Sequence, residues 1–468
     1  VDPDPEPERG NSRNGIATRG LTLGFDPEKP LIQDLTLELQ AGARVAIVGP
    51  NGAGKSTLAL ALAGITPPLR GEVRVDGYLA HARAARRQVA GRIGLLFQDP
   101  ETQLLTGRVE EEIALPLQNL GWPPARIAAR VAQVLDELKL AAFAHRPPRE
   151  LSGGEMQRVA LGAALAPEPR YLLCDEPVAH LDAPTASQTV AWITNASRQG
   201  GILAAELSCF EPVLSPARGV VLANGRLLHD GGWPPPADVA AVLCPAESTL
   251  PMALGPLAPA GGVGLEGRGL VAGWSGRPVV AWDRVTFEPG TITTLAGTSG
   301  AGKSTLLLTL AGWIPLLSGT LATQPQAASE VGAQVSLVQQ FPERLFCRPT
   351  VQEELQDFRV AAEAAALALG VVGLSPAIGR RSPFRLAAGE ARRLALVLAL
   401  LARRPILLLD EPGVGLDVAG RRLLVGLVSG FAAAGGTVVI ASHDPELVAL
   451  GGDRYQIRGG RVELRKEN

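Results

Sequence analysis

Lys55 and Lys303 each end a stretch of the form GxxxxGK[ST]: GPNGAGKST at residues 49–57 and GTSGAGKST at 297–305. Glycines at that spacing let backbone N–H groups converge on an anion, and a following helix adds its positive end. The pattern is a phosphate cradle. Its members are Gly49, Pro50, Asn51, Gly52, Ala53, Gly54, Lys55, Ser56 and Thr57, then Gly297, Thr298, Ser299, Gly300, Ala301, Gly302, Lys303, Ser304 and Thr305. The two lysines are expected on the β- and γ-phosphates, and the hydroxyls of Ser56 and Ser304 on Mg²⁺. The chain holds five lysines and 39 arginines, so lysine at both equivalent places answers a specific need.

Acid pairs close two later apolar runs, YLLCDEP at 171–177 and ILLLDEP at 406–412. Asp175 and Asp410 suit the magnesium shell, and Glu176 and Glu411 suit polarisation of an attacking water. A second anion site is read at LSGGE, residues 151–155: Ser152 can hydrogen-bond phosphate, and Gly153 and Gly154 expose N–H groups at a helix start that includes Glu155.

The elements that must carry these residues occur twice. QDPE at 98–101 returns as QFPE at 340–343, and the LD pattern ending at Asp182 returns ending at Asp417. ELSGGEMQRV at 150–159 returns as RLAAGEARRL at 385–394. A repeat this long is a duplicated domain, not a short-period solenoid. ARVAIVG and ITTLAG read as strands entering glycine loops, and LLCDE and LLLDE as central parallel strands. Ile127, Val131, Val134, Leu135 and Leu138 fall on one face of a helix entered at Pro123 and Pro124. An acid-proline tail over 1–14 is expected to be extended, with a first domain at 15–235, a Pro/Gly/Ala-rich linker at 236–265 holding at most a short helix, and a second domain at 266–468.

Composition narrows the function. Hydrophobic residues are 46% and charged residues 19%, enough for packed cores, while a net charge of −2 gives no electrostatic case for nucleic acid. No apolar run is long enough to span a membrane and no signal-peptide pattern appears. The four cysteines show neither pairing nor metal spacing, which fits a reducing cytoplasm.

The order glycine loop, Gln, LSGGE, apolar-DE, LD resembles the ATP-binding cassette ATPases over nearly the whole chain, in two copies. The resemblance implies an α/β fold of two tandem P-loop ATPase domains, each with a mostly parallel central sheet, an antiparallel β subdomain and a helical subdomain. It implies ATP and Mg²⁺ as ligands. It also implies that the two fused halves pair within the chain, with each glycine loop facing the LSGG-type helix of the other half. Gln98 and Gln340 then sense magnesium and γ-phosphate, Phe25 and Trp274 stack on adenine, and Asp182 and Asp417 join the nucleotide-binding set. FQDPETQLLT at 97–106 and QFPERLF at 340–346 further resemble energy-coupling factor (ECF) importers of vitamins or metal ions. That implies a peripheral protein at the cytoplasmic membrane face, working with a membrane coupling protein and a small substrate-binding membrane protein. Leu104, Leu105, Leu345 and Phe346 are the expected seats for partner helices. A sugar-importer ATPase and a ribosome-acting twin-cassette factor are the competing readings. The QxPE segments disfavour the first, and the Pro/Gly/Ala-rich connector and slightly acidic chain disfavour the second.

The two copies differ. Ala387 and Ala388 stand where the first half has Ser152 and Gly153, leaving Gly389 as the remaining helix-end glycine. His443, which the resemblance puts on the γ-phosphate and attacking water, is matched in the first half by Leu207 or Ser208. One complete and one degenerate composite ATP site are therefore expected.

Overall fold

Strands such as Tyr171–Asp175 and Ile406–Asp410 are buried at every position. Such strands suit the middle of a sheet covered on both faces, where an unbroken apolar run costs nothing in solvent exposure. The computed structural model describes residues 14–464 apart from 180, 201–202, 209–211, 244–253, 299, 326–329 and 360. The chain divides into two units, residues 1–246 and 247–468.

In the first unit a six-stranded sheet runs in the order Arg226–Gly232, Arg218–Ala223, Arg44–Val48, Leu203–Ser208, Tyr171–Asp175, Ile93–Leu96. Its inner strands pair in parallel, and the edge hairpin turns at Asn224 and Gly225. A four-stranded antiparallel sheet built on Gly15–Leu23 and Ile32–Gln40 packs over the helix Lys55–Leu62, with Leu21, Ile32, Ile47 and Leu58 fully buried between them. The helices Val109–Asn119, Pro124–Glu137 and Gly153–Leu165 share a separate core containing Ile113, Val134 and Val159. Val131, Val134, Leu135 and Leu138 lie buried there and Ile127 packs at its margin, and Pro124 enters the helix at its first turn.

The second unit repeats the plan in one nine-stranded sheet, because Ala281 bridges Arg461 and so joins the antiparallel layer to the central strands. Its helices Val351–Gln356, Ala362–Val371 and Ala388–Leu401 form the matching helical core. The stretch expected to link the halves is partly absorbed into both. Residues 237–243 form a helix whose Leu243 packs with Ala46, Val48 and Val221. Leu254 and Leu257 join the second unit's core, and the strand Gly264–Trp274 begins two residues inside the expected linker. A leucine at a chain junction gains about 1.5–3 kcal/mol by burial, enough to bind a Pro/Gly-rich segment to its neighbour. The expected tail through residue 13, the middle of the linker, Cys209 and Cys244 lie outside the described residues.

Candidate active sites in the two halves

Each phosphate loop is set by a strand, a left-handed glycine and a helix. Gly54 and Gly302 take φ of 89° and 101° and cap the helices Lys55–Leu62 and Lys303–Leu310. A Cβ at Gly54 would stand 2.9 Å from Ile32 Cγ1, and one at Gly302 3.0 Å from Val279 Cγ1, so glycine is required there by both conformation and space. Gly49 is required by space alone, since its Cβ would meet the Leu222 carbonyl oxygen at 2.2 Å. The buried lysines fold back over their loops. Lys55 Nζ donates to the Gly49 oxygen at 2.8 Å, and Lys303 Nζ to the Gly297 oxygen at 2.8 Å. Pro50, Asn51, Gly52, Ala53, Ser56 and Thr57 lie with Lys55 at this helix start, and Thr298, Gly300, Ala301, Ser304 and Thr305 with Lys303; Ser299 lies outside the described residues.

The strand-end acids reach the same helix starts. Ser56 hydrogen-bonds Asp175, and Ser304 hydrogen-bonds Asp410. Burial pushes each aspartate up to about 6 in spite of those bonds. Asp410 Oδ1 is buried with no hydrogen-bond partner among the described residues. A desolvated carboxylate oxygen with no donor, beside a serine hydroxyl at a phosphate loop, is chemistry that a divalent cation satisfies. Ser304 and Asp410, and by repeat Ser56 and Asp175, thus fit Mg²⁺.

The next residue is strained in both halves. Glu176 and Glu411 have φ of 45° and 44°, a left-handed backbone that a glutamate adopts at a cost of roughly 1–3 kcal/mol. Around the side chains the halves part. Glu176 Oε2 receives Gln98 Nε2 at 2.9 Å. Glu411 is buried, with His443 Nδ1 at 3.0 Å, Ser442 Oγ at 3.2 Å and Lys303 Nζ at 3.5 Å. Burial raises the Glu411 carboxyl, but the His443 hydrogen bond and the charges of His443 and Lys303 outweigh it and hold the carboxyl below its ordinary value. The same hydrogen bond raises His443. The strand Leu203–Ser208 runs beside Tyr171–Asp175, with Leu207 opposite Asp175, but the side chains of Leu207 and Ser208 lie outside the described residues.

The two signature helices differ at their first turn. Ser152 caps Gly153–Leu165, and Glu155 accepts both its N–H and its Oγ–H at 2.8 Å. At Ala387 only the N–H remains to donate, to Glu390 at 3.0 Å, because alanine has no side-chain oxygen. Nothing lies within 4 Å of the place a Gly153 Cβ would occupy. Its own half therefore does not demand glycine there, and Ala388 is compatible with the same fold. Gly154 and Gly389 are buried in their helices, the first beside Thr185. Asp182 and Asp417 act locally as helix caps, accepting from the N–H of Thr185 at 3.0 Å and of Gly420 at 2.8 Å.

The aromatic and apolar candidates separate by exposure. Phe25 is 86% exposed. Trp274 is half-exposed and donates its indole N–H to Thr305 Oγ1 at 3.1 Å, which places it on the second phosphate helix. Leu105 is 77% exposed and Leu104 half-buried. Phe346 corrects an expectation: it is buried in the helical core, edge-on to Phe384, so it offers no open seat for a partner, and Leu345 packs partly against the same core.

One residue escaped the reading of the sequence. Arg392 is buried, with Nη2 donating to the Gln340 backbone oxygen at 2.7 Å and Nη1 to the Glu411 backbone oxygen. The constant offset of the repeats pairs it with Gln157, and that substitution was the available signal.

The model of the ABC transporter family matches residues 32–179 and 283–414. A Streptomyces coelicolor protein provisionally named an ABC transporter ATP-binding protein is 31% identical over 90% of this chain and 88% of its own length. A Bacillus subtilis protein provisionally named an HMP/thiamine import ATP-binding protein is 29% identical over 93% and 88%. The energy-coupling factor transporter ATP-binding protein EcfA of Methanothermobacter thermautotrophicus is 35% identical over 46% of this chain and 70% of its own. Among solved structures, one titled RNase-L inhibitor aligns over 95% of this chain and 90% of its own with a TM-score of 0.64; at 20% identity it speaks for the fold alone. With both phosphate loops inside the matched segments, the chain belongs to the ABC transporter family of ATP-binding proteins and carries two of its ATPase domains.

Proposed function

We propose that this ABC ATPase is the energy-coupling subunit of an ECF-type importer of vitamins or metal ions, with one complete and one degenerate ATP site. The importer class rests on the relatives named for energy coupling, HMP/thiamine import and cobalt import, together with the repeated QxPE segments. No helix among the described residues is long and apolar enough to cross a membrane, so a transport role would be exercised through membrane partners. The exposed Leu105, in the loop after Gln98, is the best remaining candidate for meeting one. The ribosomal alternative draws only on likeness of fold.

The observation that carries the unequal-site reading is the histidine held against the strained Glu411, with Nδ1 at 3.0 Å. The first half has Leu207 or Ser208 at the matching place, and neither supplies an imidazole. In this reading each loop is completed by the other half's signature helix. The second half's loop, with Gln340, Asp410, Glu411 and His443, takes the complete Ser152–Gly153–Gly154 end. The first half's loop takes Ala387–Ala388–Gly389. Ser304, Asp410 and Gln340 would hold Mg²⁺, which when bound offsets the charge of the β- and γ-phosphates. Glu411 would orient and deprotonate the attacking water, and His443, which holds that carboxylate in place, would also be available to a bound γ-phosphate.

Purification of the tagged chain from its native membrane tests the importer assignment. The expected result is recovery with an integral coupling protein and a small substrate-binding membrane protein. Recovery with ribosomes, or with the two large permeases of a sugar importer, would replace it.

A further inference from the structure

We infer that Arg392 is a positioning residue for ATP hydrolysis, tying the second half's signature helix to the catalytic residues of that same half. The inference deepens the assignment of Glu411 and rests on it. Arg392 sits one turn inside the helix Ala388–Leu401, buried, and its two terminal nitrogens reach two different segments. One holds the backbone oxygen of Glu411, the residue at φ 44°; the other holds the backbone oxygen of Gln340 at 2.7 Å. A planar guanidinium fixes the angle between its two bonds, so the carbonyls are held relative to each other as well as to the helix. The charge is held close to Glu343, Glu411 and Asp410, and burial lowers the guanidinium to about 10, leaving it charged at neutral pH.

The first half shows what is gained. There Gln157, equally buried, donates from Nε2 to the Pro177 oxygen at 3.1 Å, one residue past Glu176. An amide carries no charge, and its two N–H donors share one nitrogen where the guanidinium reaches out from two. The second signature has thus lost its serine at the helix end and gained an arginine one turn further in. The loss bears on whatever meets the helix end; the gain bears on Glu411 and Gln340 of its own half. A glutamate backbone held in the left-handed region relaxes unless its neighbours over-determine it, and the Arg392 bond falls on its carbonyl.

The test compares Arg392→Gln, which imports the first half's residue, with Arg392→Lys, Arg392→Met and a Glu411→Gln control in the purified full chain. Steady-state ATP hydrolysis, nucleotide affinity and thermal melting are read for each. The expected result is a kcat at least tenfold lower in Arg392→Gln and Arg392→Met, KM for ATP within threefold, and partial rescue in Arg392→Lys, which keeps the charge but holds one carbonyl. Arg392→Gln guards against a fold defect, because the first half packs that residue in the same place. A wild-type kcat in Arg392→Gln beside an inactive Glu411→Gln overturns the inference alone. So does a loss in which KM rises as kcat falls, or one that follows melting temperature with no rescue by lysine. Hydrolysis that survives Glu411→Gln removes the underlying assignment, and the inference with it.

Discussion

At the scale of single residues the proposed chemistry rests on side chains gathered at the phosphate loops, two of which, Glu176 and Glu411, stand on a left-handed backbone. His443 is the one whose behaviour is most open to direct observation. Its hydrogen bond to Glu411 raises it, so the folded protein holds the histidine proton above the pH at which the unfolded chain releases it. The pair therefore contributes fully below about 6.5 and loses that contribution as pH rises through the higher folded value. Glu411, held low, loses its contribution as pH falls through its own depressed value. NMR titration of His443 is expected to give a midpoint above an ordinary histidine, returning toward it in Glu411→Gln; a midpoint at or below 6.5 in the unmodified protein would contradict this. The aromatics make a second residue-scale prediction. Phe25→Ala and Trp274→Ala are each expected to weaken nucleotide binding by about 1–3 kcal/mol if they stack on adenine. Calorimetry decides, and unchanged affinity in both, with the fold intact, removes the assignment. The lysines, glycines and strand-end acids were legible in the sequence because their spacing is dictated by backbone geometry. Arg392 was not, because its meaning depends on two carbonyls 52 and 19 residues away.

At the scale of elements the loops after Gln98 and Gln340 share a device. Buried Glu112 accepts the N–H groups of Leu105 and Thr106 at 2.8 and 2.7 Å and the Thr106 hydroxyl at 2.8 Å. Buried Glu354 accepts the N–H groups of Cys347 and Arg348 in the same way. Each carboxylate sits on a helix and holds the loop before it, which fixes where Leu105 is displayed. Glu112→Gln and Glu354→Gln replace charge-assisted bonds with neutral ones, and each is expected to cost about 1–2 kcal/mol in denaturant unfolding. Amide exchange is expected to quicken first over residues 104–106 or 346–348; a uniform change across the domain would argue against a local clamp. Strands were legible as apolar runs, but Phe346 was not: an apolar pair after a QxPE segment has no periodicity to say which member turns inward. The linker is a related case. Its Pro/Gly/Ala composition is that of a connector, yet Leu243, Leu254 and Leu257 each find a core.

At the scale of the molecule the central claim is that duplication has produced two ATPase domains of unequal chemistry. The Ser152 hydroxyl and the His443 contact are each worth roughly 1.5–3 kcal/mol to a charged partner. If felt only in the transition state, each is about ten- to hundredfold in rate. In the proposed exchanged arrangement both losses would fall on the first half's site and leave it mainly to bind ATP. The most direct measurement replaces one glutamate at a time in the transporter reconstituted with its membrane partners, counting nucleotides trapped at each site after one turnover. Glu411→Gln is predicted to abolish nearly all hydrolysis, while Glu176→Gln retains most of it, with ADP forming only on the second half's phosphate loop. Equal losses from the two substitutions, with ADP formed at both loops of the unmodified protein, would contradict the account.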